Sequence, residues 1–282
     1  MKLTKRHRIG VIGGTGKTGA QFARLFRRHG YAVRVTGAET RGRNAAVIDA
    51  SDVILFALPL SDAADLMKRM LLSSHRKDQL ILDVSSLKTR EVKAMLSGAG
   101  EVIGMHPLFG PSTDPKGERI VLCPARATPE TVHSLCALLR SMGLRTSIMT
   151  PAQHDTLMTT VQVIPHLKSL LMADVLRSSG TDLRKMLQVC TPTYEMEFNV
   201  IARFLDDHPD LYMPIIFRNP NTLRILRRMQ SLISDYIRIA EDQDLVSAEK
   251  RYRSCKTFFK PQLKRARSHS EACIQTLLTL TR

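Results

Sequence analysis

At 282 residues, 43% hydrophobic and 24% charged, the chain is long enough for two domains that each bury a core, and its composition excludes a disordered or fibrous protein. No apolar run approaches the roughly 20 residues that cross a bilayer, and MKLTKRHRIGVIGG passes from basic residues straight into a short apolar strand, so neither a membrane protein nor a secretory leader is expected. The net charge of +16 raises nucleic acid as a partner but equally suits an enzyme whose ligands are anions. The basic runs Arg224–Arg228 and Lys260–Arg267 are interleaved with Leu and Ile at helical spacing, the pattern of solvated helix faces rather than of a nucleic-acid surface. Five scattered cysteines (Cys123, Cys136, Cys190, Cys255, Cys273) contain no CxxC pair, so neither a metal site nor a disulfide framework is expected, and the compartment implied is a reducing cytoplasm.

In chain order, short apolar runs at Arg8–Ile12, Ala32–Thr36, Val53–Leu58, Leu80–Val84 and Val102–Met105 predict strands. Amphipathic patterns at Ala20–Arg28, Ser61–Leu71 and Thr89–Leu96 predict helices between them. This alternation predicts βαβ units and a parallel sheet covered on both faces, a Rossmann-type α/β domain. A helix over 128–142, with Pro129 and Glu130 in its first turn and Gly143 as its stop, precedes a strand at Arg145–Met149. From Pro151 onward the pattern is nearly all helical. The division expected is therefore a dinucleotide-binding domain over 1–150 and an all-α domain over 151–282. Pro165 should kink the helix patterned over Thr156–Leu176. So long a helical domain has a wide apolar surface to cover, and a second copy of the chain would cover it, giving a homodimer.

Gly14-Thr15-Gly16-Lys17-Thr18-Gly19 is a GxGxxG directly after the first strand and at the opening of the first helix. There the first glycine is expected to permit the tight turn, the second to let backbone approach a pyrophosphate, and the third to let helix and strand pack closely. The resemblance of Gly16-Lys17-Thr18 to the end of an ATPase phosphate loop fails, because that pattern needs a glycine where Val11 stands. The second strand ends in Gly37-Ala38, where an acid that binds the ribose of NAD is usual, and Arg41 and Arg43 follow. This favours NADP over NAD; the alternative is that Glu39 reaches the ribose. Thr36, Arg41, Leu58 and Pro59 complete the expected cofactor-binding set.

Asp83-Val84-Ser85-Ser86-Leu87-Lys88 and His106-Pro107-Leu108-Phe109-Gly110-Pro111 each follow a predicted strand, at the sheet edge where open α/β folds place ligands. His154-Asp155 opens the helical half, with His154 reading as a helix-capping residue. Gln162 and His166 fall four apart on one helix, and Arg203 lies in a later one. Read singly, these have plainer explanations: a histidine before proline caps a loop, and Arg203 is spaced to pair with Asp206 or Asp207. Together, from about Arg8 to about Leu278, they resemble the prephenate dehydrogenase family. HPLFGP is similar to its HP-(hydrophobic)-FGP signature, DVSSLK to its D-x-x-S-(V/L)-K, and the likeness is to the dehydrogenase part of the enterobacterial type, without a chorismate mutase or regulatory domain.

The resemblance implies an NAD(P)-dependent oxidoreductase acting on prephenate, a dianion that loses hydride from C4 and CO2 from C1 to give 4-hydroxyphenylpyruvate on the route to tyrosine. It implies His106 as the base for the C4 hydroxyl, Ser86 orienting that hydroxyl, and Arg203 gripping a carboxylate. His166 and Gln162 would line the pocket, and Lys88 would order the loop or add positive potential. Arogenate and 4-amino-4-deoxyprephenate fit the same chemistry as alternative substrates. A regulator that senses NADP or binds nucleic acid would instead have lost the set His106, Ser86, His166 and Arg203, which this chain keeps.

Overall fold

The computed structural model describes residues 1–72 and 76–280. The first half runs β1 (Arg8–Ile12), α1 (Lys17–Arg28), β2 (Ala32–Thr36), a 3₁₀ turn (Ala38–Arg43), α2 (Asn44–Asp49), β3 (Val53–Phe56), α3 (Ala63–Leu71), β4 (Leu80–Asp83), α4 (Thr89–Met95), β5 (Glu101–Pro107), β6 (Arg119–Arg126), α5 (Pro129–Ser141) and β7 (Arg145–Ile148). The strands form one sheet in the order β2-β1-β3-β4-β5-β6-β7. Its strands are apolar on both faces because helices cover both. Ile9, Val11, Leu55, Leu82 and Ile103 meet Phe22, Phe26, Leu135 and Leu139 on one side, while Ile12, Ile54, Phe56 and Ile81 meet Met67, Leu71 and Met95 on the other.

The order reverses between β1 and β3, which opens a crevice beyond the carboxyl ends of those strands. The glycine turn after β1 and Leu58-Pro59 after β3 flank that crevice. Ser86 and His106, at the ends of β4 and β5, continue the same edge, since Asp83 pairs with Gly104 in parallel register.

The sheet is not wholly parallel. β6, absent from the sequence expectation, pairs antiparallel with β5, His106 opposite Val121. The connection, 108–118, contains no helix, and a parallel crossover needs a dozen or more residues and usually a helix, so the chain turns straight back. β5 also runs to Pro107, so His106 sits on the strand itself rather than past it.

The second half is helical: α6 (Pro151–Met158), a π turn (Thr159–Val163), α7 (Ile164–Ser178), α8 (Leu183–Val189), α9 (Pro192–Asp206), α10 (Pro209–Phe217), α11 (Thr222–Glu241), α12 (Leu245–Phe259) and α13 (Leu263–Leu280). Thr150 caps α6 in a reciprocal box with Gln153. The expected disturbance at Pro165 takes the form of the π turn just ahead of it: proline lacks an N–H and crowds the preceding turn, and the wider turn accommodates both.

By contacts the chain forms two compact units, one of Met1–Gln162 with Asp210–Pro220, the other of Val163–Pro209 with Asn221–Arg282. In the second unit α7 and α13 both pack on α9. α8, α12 and α13 bury no residue, while Leu245, Val246 and Phe258 are each about 80% exposed. Among the described residues no helix is long and apolar enough to cross a membrane.

Candidate active site

The turn after β1 has the form of a phosphate cradle. Gly13 takes φ +84, and a Cβ there would lie 2.2 Å from the Ala57 carbonyl oxygen, so this position admits only glycine. The tight turn is thus made by Gly13 rather than by Gly14, as the sequence pattern suggested. The N–H of Gly14 donates to the Thr36 carbonyl (2.7 Å), locking the turn to the end of β2. Gly16 is the N-cap of α1 and Lys17 its first residue; Thr18 and Gly19 lie in the first turn. No side chain caps this end, and no acid stands in its first turn, so its unpaired N–H groups and positive end are open to an anion. Beside it, a cavity of about 360 Å³ is lined by Arg34, Thr36, Thr40 and Arg43 among others. The Thr36 Oγ1 is buried without a hydrogen-bond partner. Arg41, expected here, does not line this cavity; its Nε donates to the Ala38 carbonyl, and Arg34 and Thr40 stand where the sequence reading did not look. A Cβ at Gly37 would lie 1.9 Å from Thr15 Oγ1, so the acid usual at this position has no room.

Along the same edge, a buried polar cluster organises His106. Its Nδ1 lies 2.8 Å from His154 Nε2, and His154 Nδ1 lies 2.8 Å from Asp155 Oδ1. Gln162 Nε2 stands 3.4 Å from His106 Nε2, and Gln162 Oε1 is buried without a partner. Asp155 also accepts the N–H groups of Lys88 and Thr89 (2.9 Å each), so its carboxylate closes the amino end of α4. Its main-chain carbonyl accepts Asn219 Nδ2 (2.9 Å), and Asn219 Oδ1 in turn takes the Thr159 hydroxyl. Ser86 is half-buried beyond β4.

Burial pushes the His106 imidazole well below its usual range, reinforced by His154 and Lys88 and opposed by Asp155; His106 is uncharged at neutral pH. Burial also pushes the Asp155 carboxyl upward, but the hydrogen bonds from His154, Thr89 and Lys88 outweigh it and hold the group below the usual carboxylate range.

Lys88 is wholly buried. Its three donors go to Asp83 Oδ1 (2.6 Å), Asp83 Oδ2 (2.5 Å) and the Met105 carbonyl (2.7 Å), which leaves none for a substrate. It ties the ends of β4 and β5 together and so fixes the strand that carries His106.

In the second unit, the His166 ring stacks on Phe204 (centroids 5.7 Å apart, 18° between planes), and Arg203 is the exposed neighbour of Phe204 on α9. Burial lowers the His166 imidazole from its ordinary value. Gln162 and His166, expected on one helix face, are separated by the end of the π turn and fall in different units.

A family model described as prephenate dehydrogenase, nucleotide-binding domain, matches residues 22–148, and one described as prephenate dehydrogenase, dimerization domain, matches residues 150–250. The chain belongs to the prephenate dehydrogenase family. Similar curated proteins include the T-protein of Enterobacter agglomerans, 23% identical over 235 residues that cover 83% of this chain and 62% of the relative. A probable arogenate/prephenate dehydrogenase of Methanocaldococcus jannaschii is 26% identical over 290 aligned positions, covering 95% and 65%. The chain therefore spans less than two thirds of the length of these relatives. Among solved structures, a prephenate dehydrogenase from A. aeolicus in complex with hydroxyphenyl propionate and NAD+ superposes with TM-score 0.73 at 18% identity, over 95% of this chain and 99% of that one. Synechocystis arogenate dehydrogenase gives 0.65 at 16% identity, over 93% and 99%. At such identities the likeness is one of fold: a nucleotide-binding sheet domain followed by a helical dimerisation domain.

Within this prephenate dehydrogenase fold, sequence reasoning passed over three buried residues in or beside the cluster of His106, His154 and Asp155. His154 was read as a cap, yet Thr150 does the capping and His154 is fully buried against His106. Asn219 and Glu91 carried no pattern at all. Glu91, on α4, is 2% exposed, and one of its oxygens, Oε2, lacks a partner. Burial pushes its carboxyl up to about 7. The folded state therefore holds a proton that the unfolded chain releases near its ordinary carboxyl range, and stability falls as pH rises from there to about 7. Glu91→Gln should flatten that slope and raise stability at about pH 8 by on the order of 3 kcal/mol. Urea unfolding at several pH values checks this; an unchanged slope would remove Glu91 as its source.

Proposed function

We propose that the chain is a nicotinamide-dependent dehydrogenase that converts prephenate to 4-hydroxyphenylpyruvate by oxidative decarboxylation, as a homodimer. The observation that carries the reading is the buried, neutral His106 at the end of β5, held by His154 and Gln162 on the same sheet edge as the glycine cradle. The cradle fits a dinucleotide: Gly13 leaves no room for a side chain, the amino end of α1 is uncapped, and the Thr36 hydroxyl is a buried donor without a partner. Gly14, Thr15, Gly16, Lys17, Thr18 and Gly19 would hold the pyrophosphate, with Leu58 and Pro59 beside them. A bound nicotinamide would supply the acceptor for the hydride of C4.

The chain's own residues supply the rest. His106, neutral at pH 7, takes the proton of the C4 hydroxyl as that carbon is oxidised, and a base so placed contributes roughly 100- to 10,000-fold. Ser86, one strand away on the same edge, orients the hydroxyl. Arg203 is the proposed carboxylate-binding group, because a guanidinium meets a carboxylate through two parallel bonds. His166, half-buried on Phe204, is proposed to line the substrate-binding surface with it. Lys88 acts from beneath, through the strand ends.

The preferred cofactor is NADP. Gly37 with Thr15 against it excludes the ribose-binding acid, and Arg34 and Arg43 put two cations around a cavity that also contains the Thr36 and Thr40 side chains. Arg43→Ala should raise the KM for NADP about tenfold and leave that for NAD within about twofold, the loss of one charge-assisted contact; equal effects on both would remove the assignment.

The dimer is supported by the match to a dimerisation domain and by the apolar residues that α12 leaves in water. The five thiols are all free, which fits a reducing compartment such as the cytoplasm. The deciding experiment is turnover of the purified protein with prephenate, arogenate and 4-amino-4-deoxyprephenate, each with NAD and with NADP. Prephenate should give the highest kcat/KM. Preference for another substrate would move the substrate assignment, and no turnover with any of them, alongside salt-sensitive DNA binding, would overturn the enzyme reading.

A further inference from the structure

We propose that His154 and Asp155 are positioning residues for His106: they fix its reactive nitrogen as Nε2 and receive its positive charge through a buried proton relay. The inference rests on His106 being the base and goes beyond that reading by naming the atoms.

The direction of the chain of hydrogen bonds follows from its inner end. The Asp155 carboxylate is held ionised by the N–H groups of Lys88 and Thr89 and can only accept. His154 Nδ1, 2.8 Å from Asp155 Oδ1, must therefore carry a hydrogen. With both rings uncharged at rest, His154 Nε2 is a lone pair, and His106 Nδ1, 2.8 Å away, is the donor. That leaves the lone pair of neutral His106 on Nε2, and Gln162 presents its amide N–H₂ there, at 3.4 Å. With both rings uncharged, each assignment follows outward from one carboxylate, and the rings cross at 68° with centroids 5.0 Å apart, which lets each nitrogen reach the next.

When Nε2 of His106 takes the substrate's hydroxyl proton, the O–H bond breaks and an N–H bond forms. The hydrogen on Nδ1 can then pass to His154 Nε2, leaving His106 neutral and His154 an imidazolium beside ionised Asp155. Protons move and no electrons change hands. Both rings are buried, and the destination is favoured because a cation on His106 also faces Lys88, whereas one on His154 sits directly against the Asp155 carboxylate. Asp155 also stays coupled to the fold at three places: the amino end of α4, the His154 ring and, through its carbonyl, Asn219.

Two variants separate fixing from relaying. In His154→Gln the new amide accepts from His106 through oxygen and donates to Asp155 through nitrogen, which preserves the tautomer but cannot carry the charge. In His154→Phe neither is possible. The tautomer is read without substrate, by long-range ¹H–¹⁵N correlation on ¹⁵N-histidine-labelled protein, with the His106 signals assigned from their loss in His106→Asn. We expect the Nδ1–H form in the native protein and in His154→Gln, and the Nε2–H form in His154→Phe. On the best substrate, kcat should fall about tenfold in His154→Gln and about 100-fold in His154→Phe, with KM for substrate and cofactor within about twofold. An Nε2–H tautomer in the native protein overturns the fixing, and an undiminished kcat in His154→Gln overturns the relay. If His154→Phe does not fold, the native spectrum and His154→Gln decide both points. Absence of turnover with every substrate overturns the proposed function and the proton step with it, while the tautomer result stands by itself.

Discussion

His106→Asn should lower kcat by roughly 100- to 10,000-fold, the range that a positioned general base contributes, and leave the dissociation constant for the dinucleotide within about twofold. Asparagine is close to histidine in reach and can still donate to His154, so the buried cluster keeps its shape. What disappears is the buried, uncharged nitrogen that would take the proton of the substrate hydroxyl. The glycine turn that would hold the dinucleotide follows β1, and His106 lies in β5, with β3 and β4 between them, which separates the two effects. Initial rates and a fluorescence titration with the reduced dinucleotide measure the two quantities. Near-normal turnover in this variant would remove His106 as the base.

Lys88→Met should destabilise the fold by roughly 3–5 kcal/mol, the usual cost of leaving one member of a buried ion pair alone. Both side chains are wholly buried, and Asp83 also accepts the N–H groups of Ser85 and Met105. Without the ammonium, a carboxylate facing those two N–H groups keeps its charge in a nonpolar interior and must take up a proton or draw in water. Adding Asp83→Asn should restore part of the loss, since an amide oxygen still serves the two N–H groups with no charge to bury. Urea unfolding of the single and double variants measures this. If Lys88→Met costs less than about 1 kcal/mol, the pair is better solvated than its burial indicates.

The legible parts of the sequence were those governed by short-range periodicity. The runs RIGVI, VILF and LILD are apolar at all but two positions at most, as strands covered on both faces must be, and the glycine turn and HPLFGP fall where such strands end. β6 escaped because RIVLC is as apolar as its neighbours and nothing local says which way it runs; the direction came from the lack of a helix in 108–118. Lys88 was expected to order the loop or add positive potential; lysines are rarely buried, and only the fold brings Asp83 and the Met105 carbonyl to its ammonium. The His106–His154 contact joins residues 48 apart, and Asn219 reaches Asp155 across 64. Separations of that size leave no periodic trace. The one local signal was the adjacency of His154 to Asp155 in the second turn's approach of a well-capped helix, a polar pair with no capping left to do.

The segment Asp210–Pro220 belongs by its contacts to the first unit although it lies between two helices of the second. Ile215 and Ile216 are buried, Arg218 donates to the carbonyls of Leu60 and Ser61, and Asn219 holds the Asp155 carbonyl. The chain is thus stitched rather than strung, and its halves are not interchangeable cassettes. A chimera that joined residues 1–162 to the helical half of a distant relative would inherit a foreign stretch in place of these eleven residues, and with it a mismatched brace under Asp155. Recombination within the family is expected to succeed when the crossover carries 210–220 along with the sheet domain, and to yield poorly folded protein when it does not.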